Sequence, residues 1–327
     1  MDVHFIGGAR VEQHPVADLQ TLLDRSDGLV WVDIPSCDQE ASRVLSEVFG
    51  FHPLAIRDCV ERNHVPKVHA YPEQLFVVLH APERATGGHV HYVELDQFIG
   101  PRYLVTVHGP LNPAVNPDVA LRETRAVLAR IEAGRLRPSS SFGLSYAIVS
   151  ALTRQQEGVV GILAREVGLL EQRVMRSDVA DPEQFLEELF RARHGLIAVR
   201  TMAALSREIY GRIVNLTGFV PTDGRPLVAD LVDQFDRVRG VADGQREFLQ
   251  GVIEFYKTRT DTKMTIAAER LAVIAAITLP ITALSSVYGM NVIVNSRTDF
   301  VHLAVVLTVM VAMSAALLRW ARRQGWW

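Results

Sequence analysis

Three hydroxyl side chains recur every four residues in an apolar stretch near the C-terminus. Thr278, Thr282 and Ser286 have the spacing that places side chains on one face of an α-helix. In lipid, such a hydroxyl bonds back to the carbonyl one turn earlier, whereas on the wall of an aqueous pathway it can bind an ion or its water shell. We therefore predict that this face lines an ion pathway. The same line of the predicted helix also contains Leu271, Ala275 and Leu279.

The hydroxyls belong to one of two stretches that are long and apolar enough to cross a membrane. No Asp, Glu, Lys or Arg occurs within 271–296 or within 300–318. A spanning helix needs about 20 mainly apolar residues, so we predict spans at 271–288 and 300–318, joined by an outer loop at 289–299. Two spans cannot enclose a pathway alone, and a ring of several copies would be required.

Positive charges flank both predicted spans. Cytoplasmic segments of membrane proteins carry an excess of Lys and Arg, so we expect a multi-pass protein of the cell inner (plasma) membrane with both termini in the cytoplasm. The segment 319–327 would then form a basic cytoplasmic tail. The flanking cations are Lys257, Arg259, Lys263, Arg270, Arg319, Arg322 and Arg323.

Composition argues against several other classes of protein. Of the 327 residues 22% are charged, and the net charge of -3 does not favour a nucleic-acid partner. The two cysteines form no CxxC pair, which argues against a disulfide framework. Because no nucleophile elbow, phosphate loop or dinucleotide fingerprint occurs, we expect neither an enzyme nor an organic cofactor.

Residue periodicity divides the part that precedes the spans. Residues 1–112 contain short runs rich in Val, Ile, Phe and Tyr, which predict an α+β cytosolic domain. Helical periodicity predicts a helical region at 113–220 with a long antiparallel helix pair, and then a stalk helix at 221–270 that runs on into the first span. The predicted strands are 3–6, 29–34, 75–81, 90–99 and 103–107.

A set of histidines and a cysteine could be read as zinc ligands. No pair among them has zinc-finger or H-E-x-x-H spacing, so we interpret them as surface or core residues. They keep zinc transport open as an alternative. The set is Cys59, His64, His69, His80, His89, His91 and His108.

The end of the first span carries a distinctive motif. Tyr288, Gly289, Met290 and Asn291 close it, and a second span with a basic, tryptophan-ending tail follows. In this motif, in its spacing from Pro280, and in the cytosolic segments 51–58 and 66–68, the chain resembles the CorA family of magnesium and cobalt transport proteins.

The resemblance implies a funnel-shaped homopentamer in the lipid bilayer, with the first span lining a pore for divalent cations. Mg2+ would be the main substrate, with Co2+ and Ni2+ as further substrates. Tyr288, Gly289, Met290 and Asn291 would form the selectivity filter. Mg2+ sheds water reluctantly, and the neutral amide oxygens of five Asn291 side chains could bind its hydration shell without stripping it.

The resemblance also implies gating by intracellular Mg2+, which would then be both transported and regulatory. The family's sensing aspartate falls on Asp230, with Asp233 one turn further on and Glu83 as the acidic residue of the α+β domain. Bound Mg2+ would bridge carboxylates of neighbouring subunits and hold the ring closed. Its loss would open the channel.

Two alternatives stay open because the chain departs from the family pattern. Glutamates that usually occupy the outer loop are replaced by the neutral run 292–296, and the inner end of the pore has Thr262 and Thr265 in place of asparagines. One alternative is a proton-coupled Zn2+ transporter similar to ZntB. The other is a membrane-anchored cytosolic sensor or scaffold in which the helical hairpin is an inert anchor.

Overall fold

The computed structural model describes residues 1–8, 10–85, 87–110, 112–176, 178–216, 218–289 and 300–323. The chain forms two compact units, Met1–Val252 and Ile253–Trp327. The first unit contains a sheet with helices packed on it. The second contains two apolar helical segments.

A seven-stranded sheet organises the first unit, in the strand order β2-β1-β3-β7-β6-β5-β4. All neighbouring strands are antiparallel except β3 and β7, which are parallel. The strands are β1 (Asp2–Gly7), β2 (Arg10–His14), β3 (Leu29–Ile34), β4 (Lys67–Ala70), β5 (Leu75–Arg84), β6 (Val90–Ile99) and β7 (Tyr103–Val107).

The five predicted strands are confirmed, and the two edge strands were missed. Both β2 and β4 are short and largely exposed. Their sequences, RVEQH and KVHA, are polar because an edge strand has less apolar surface to bury. The interior strand β5 is instead buried continuously over 75–82, as expected for a strand covered on both faces.

Helices cover the two faces of this sheet. One face packs against α1 (Leu19–Asp24), α2 (Gln39–Glu47) and α3 (Pro53–Val60), in a core that includes Phe5, Leu45, Cys59, Phe76 and Phe98. The other elements of this unit include α4 (Pro117–Ala120), α5 (Arg122–Glu132), α6 (Ser141–Arg176) and α7 (Pro182–Val214). Both α6 and α7 contact β5 and β6.

The helices α6 and α7 form the predicted antiparallel pair. Near its tip, Arg173 of α6 pairs with Glu188 of α7. Asp181 caps α7, because its carboxylate accepts hydrogen bonds from the backbone N–H groups of Glu183 at 2.9 Å and Gln184 at 3.1 Å.

Two further helices complete the described chain. The helix α8 (Arg225–Gly289) runs without a break for 65 residues and includes Pro280, which confirms that the predicted stalk and first span are one helix. The helix α9 (Phe300–Arg323) continues beyond the predicted second span. Part of the predicted basic tail is therefore helical, and Arg residues are favourable near a helix C-terminus.

Candidate functional site: ion pathway and regulatory carboxylates

Two described helices are apolar enough to cross a membrane. The most apolar 18-residue segments of 225–287 and 303–323 have mean hydropathies of 1.7 and 2.0. Only 6% of the first segment and 0% of the second is buried. The core helix of a soluble protein would be mostly buried. These apolar surfaces are instead exposed in a single chain.

The three hydroxyl residues predicted to line a pathway are all exposed on α8, and two of them bond to their own helix. Thr278 Oγ1 donates to the carbonyl of Ile274 at 2.9 Å, and Thr282 Oγ1 donates to the carbonyl of Thr278 at 2.8 Å. Each hydroxyl proton is thus directed to the backbone. The oxygen lone pairs then remain on the exposed side, where they can accept from water or bind a cation.

The opposite face of α8 is the more buried one. Val273 is 2% exposed, and Ile277, Ile281 and Leu284 are partly buried. The adjacent Ser285 hydroxyl contacts Met310 Sδ of α9 at 3.9 Å. Val273, Ile277, Ile281 and Leu284 lie roughly half a turn from the hydroxyl residues at 100° per residue, whereas Ser285, seven residues after Thr278, lies beside them.

All six predicted pore-lining residues are exposed in the single chain. Leu271 and Leu279 are 67% and 66% exposed. The exposed set comprises Leu271, Ala275, Thr278, Leu279, Thr282 and Ser286.

The predicted selectivity filter is described only in part. Tyr288 and Gly289 form the last two residues of α8. Met290 and Asn291 lie outside the described residues. A Cβ atom at Gly289 would meet nothing within 4 Å among the described residues.

Asp230, the candidate regulatory aspartate, lies in the second turn of α8. Its Oδ2 accepts hydrogen bonds from the Tyr146 hydroxyl at 2.7 Å and from Gln234 Nε2 at 2.6 Å. These two bonds hold the pKa of the Asp230 carboxyl below its usual range. Asp230 is therefore ionised at neutral pH and already oriented by its neighbours.

The other two candidate carboxylates have different surroundings. Asp233 is exposed on α8. Glu83 on β5 accepts from Arg122 at 2.9 Å, so its charge is already paired within the chain. Among the described residues no group of three or more His, Cys, Asp or Glu is placed to hold a metal ion.

The candidate zinc ligands are engaged elsewhere or dispersed. The buried His80 bonds through Nε2 to the carbonyl of Asn63 at 2.8 Å. The buried His108 bonds through Nε2 to Asp33 Oδ1 at 2.9 Å. Within the described part of the chain, these histidines belong to no group of three or more side chains that could hold a metal ion.

Sequence reasoning missed the residues that position Asp230. Gln234 could have been identified, because residues four apart on a helix are neighbours. Tyr146 precedes Asp230 by 84 residues on another helix, and no local pattern links the two.

Comparison with known proteins identifies the family. Residues 26–323 match the family described as CorA-like Mg2+ transporter protein. The chain belongs to the CorA family. Members of the CorA family are membrane transporters of divalent metal ions, and the two apolar helices of this chain fit that role.

Two relatives in the CorA family match most of the chain. YfjQ of Bacillus subtilis, a protein named for metal ion transport, is 24% identical over 302 residues, covering 90% of this chain and 89% of YfjQ. The cobalt/magnesium transport protein CorA of Thermotoga maritima is 21% identical over 281 residues, covering 84% of this chain and 77% of that protein.

Solved structures show the same fold. The complete CorA magnesium transporter of Methanocaldococcus jannaschii aligns with a TM-score of 0.82 at 16% identity, covering 100% of this chain and 99% of that chain. The cytoplasmic domain of ZntB from Vibrio parahaemolyticus aligns with a TM-score of 0.62 at 10% identity, covering 80% and 98%. At these identities the likeness concerns the CorA fold alone.

Proposed function

We propose that this chain forms a homopentameric channel that carries Mg2+ down its electrochemical gradient into the cytoplasm. The observation that carries the proposal is the exposed polar face of α8. In a ring of copies this face would turn towards the common axis, and α9 would lie towards the lipid. Thr278, Thr282 and Ser286 would then present oxygen atoms to a hydrated ion.

The proposal places the selectivity filter at Tyr288, Gly289, Met290 and Asn291. This assignment rests on the resemblance to the family motif at the end of α8. Side-chain amide oxygens are neutral acceptors, so a ring of Asn291 would hold the water shell of Mg2+ without trapping the ion. The cations that flank the two helices support an orientation with both termini in the cytoplasm.

An apolar seam on α8 supports assembly into a ring. Val241 and Phe248 are 55% and 43% exposed, and Phe255 continues their seven-residue period. Gly244 and Gly251 follow Val241 and Phe248 by three residues, and a Cβ at either would meet nothing within 4 Å among the described residues. A seven-residue apolar repeat is typical of helices that pack against each other, and glycine lets the partner approach closely.

Regulation by cytosolic Mg2+ is proposed at Asp230 and Asp233, with Glu83 as the candidate acid of the α+β domain. Asp230 is ionised and oriented, which suits it as an oxygen ligand. Because Glu83 already pairs with Arg122, and the described residues of one chain form no metal group, a neighbouring subunit would have to supply further ligands. Bound Mg2+ would reduce repulsion between subunits and keep the channel closed.

The test is ion flux into liposomes that contain the purified full-length protein. We expect Mg2+ entry driven by membrane potential, strongly reduced in Asn291→Ala and reduced in Thr282→Val. The matched control is Thr308→Val on α9, whose hydroxyl also donates to its own helix, at 2.7 Å to the carbonyl of Ala304. Equal effects of the two valine variants would contradict a pore-lining role for Thr282.

The same measurement separates the alternatives. The likeness to the ZntB domain concerns the fold, and Zn2+ entry that requires a proton gradient would overturn the proposed Mg2+ channel. Absence of flux for Mg2+, Co2+, Ni2+ and Zn2+, with the protein correctly inserted, would favour the membrane-anchored sensor or scaffold.

A further inference from the structure

A cleft with an unusual charge pattern lies between α5, α6 and α8. Its volume is about 330 Å3, near the lower end for small-molecule sites. Arg130, Arg154 and Arg237 line it, one from each of the three helices. The lining contains one carboxylate, Glu157.

These three guanidinium groups share one cleft without a partner carboxylate in the described part of the chain. Among the described residues no carboxylate lies within ion-pair distance of Arg130, Arg154 or Arg237. By contrast, Arg200 pairs with Asp243 at 3.0 Å and Arg207 with Asp236 at 2.8 Å. Three unpaired cations directed at one cleft repel each other, so the site favours an anion.

Neutral polar groups form another part of the lining. Ser150 and Thr153 are buried, and Gln234 connects them, accepting from Thr153 at 2.7 Å and donating to Ser150 at 3.1 Å. Leu136 and Ala147 add a small apolar wall. Hydroxyl, amide and apolar groups beside the cations would suit a ligand larger than a simple ion.

We propose that this cleft binds a phosphate group, carried by a phosphomonoester or as inorganic phosphate. Guanidinium groups match the oxygens of phosphate and carboxylate alike. Arginines from three helices suit the tetrahedral phosphate better than a planar carboxylate, because phosphate offers acceptor oxygens in three directions. The inference does not rest on the transport activity.

A bound phosphate would connect to the candidate regulatory aspartate. Tyr146 and Gln234 line the cleft, and both donate hydrogen bonds to Asp230. Occupancy would therefore fix α5 and α6 against the same turns of α8 that carry Asp230. The cleft offers a route by which a phosphorylated metabolite could influence the start of α8.

The test is isothermal titration calorimetry on the full-length protein in detergent, without divalent cations. The probes are adenosine 5′-monophosphate, inorganic phosphate and adenosine. We expect the monophosphate or phosphate to bind and adenosine not to bind. Tighter binding of the monophosphate would identify a phosphomonoester site, and equal binding would identify a site for phosphate itself.

Variants locate the binding. Arg154→Gln and Arg237→Gln should each weaken binding by about tenfold or more, because a charge-assisted hydrogen bond is lost. The matched control is Arg165→Gln, an exposed arginine about three turns further along α6, which should leave binding unchanged. The proposal is overturned by no binding of either anion, by equal weakening in the control, or by a changed oligomeric mass in the cleft variants, which would indicate a subunit contact instead.

Discussion

At the scale of single residues, the buried carboxyl group of Asp96 has a strongly raised pKa. Asp96 is fully buried on β6, between Val78 of β5 and Val107 of β7. Burial, and then the nearby Glu94 charge, raise the pKa of the Asp96 carboxyl well above its usual range. Among the described residues, neither carboxylate oxygen of Asp96 has a hydrogen-bond partner, so no such bond offsets the cost of ionising this group.

This pKa shift predicts a pH dependence of stability. The folded protein retains the Asp96 proton at a pH where the unfolded chain has released it, so stability falls as pH rises above about 4, the ordinary pKa of Asp. At a pH above the pKa of Asp96 in the folded protein, each unit by which folding raises that pKa lowers the free energy of unfolding by about 1.4 kcal/mol. Asp96→Asn should flatten this dependence between pH 5 and pH 8, measured by thermal unfolding in detergent.

The exposed Asp233 provides the control for this prediction. Asp233→Asn should keep the pH dependence of the wild type, because no buried carboxyl is removed. An unchanged pH profile in Asp96→Asn would show that Asp96 is not the group responsible.

Asp230 has a lowered pKa, in contrast to Asp96, and its prediction concerns regulation. Hydrogen bonds from Tyr146 and Gln234 keep it ionised, so a neutral replacement would weaken the metal binding that we propose for it. In the liposome assay, Asp230→Asn should raise the cytosolic Mg2+ concentration for half-inhibition by about tenfold or more, with the maximal flux preserved. The control is Asp223→Asn, in the exposed loop before α8, which should not change the Mg2+ concentration for half-inhibition. Unaltered inhibition in Asp230→Asn would exclude Asp230 from regulation.

At the scale of elements, long helices followed their periodicity closely. The helical region predicted at 113–220 contains two long helices, α6 (Ser141–Arg176) and α7 (Pro182–Val214). The predicted stalk continues without a break into the first span as α8. The polar edge strands β2 and β4 escaped prediction because neither has the apolar alternation that identifies a strand. The finer domain boundaries remain a prediction.

The cap of α7 can be tested by stability. Asp181→Ala removes the carboxylate that accepts from the N–H groups of Glu183 and Gln184, and should cost about 1 kcal/mol. Denaturant unfolding of the full-length protein measures this loss. Asp178→Ala lies in the same loop outside the cap position and serves as the control. Equal losses in the two variants would show that capping is not the cause.

At the scale of the whole molecule, exposed apolar surface on α8 calls for a partner. Phe248→Asp would place a charge in the proposed seam between subunits, where burial of an unpaired charge is costly. We expect the mass in detergent to fall from that of a pentamer. Phe190→Asp, at a 53% exposed phenylalanine of α7, controls for a new surface charge. A wild-type protein that is monomeric, or a Phe248→Asp protein of unchanged mass, would contradict the seam.

The sequence by itself determined the helices, the two apolar segments, the polar line from Leu271 to Ser286 and the CorA family, because each is written in local spacing or in a contiguous motif. Only the tertiary structure decided that Tyr146 orients Asp230, that Arg122 pairs with Glu83, and that three arginines meet at one cleft. These relations join residues that are distant in the chain. Their energies depend on packing between elements, and the local periodicity of the sequence carries no information about that packing.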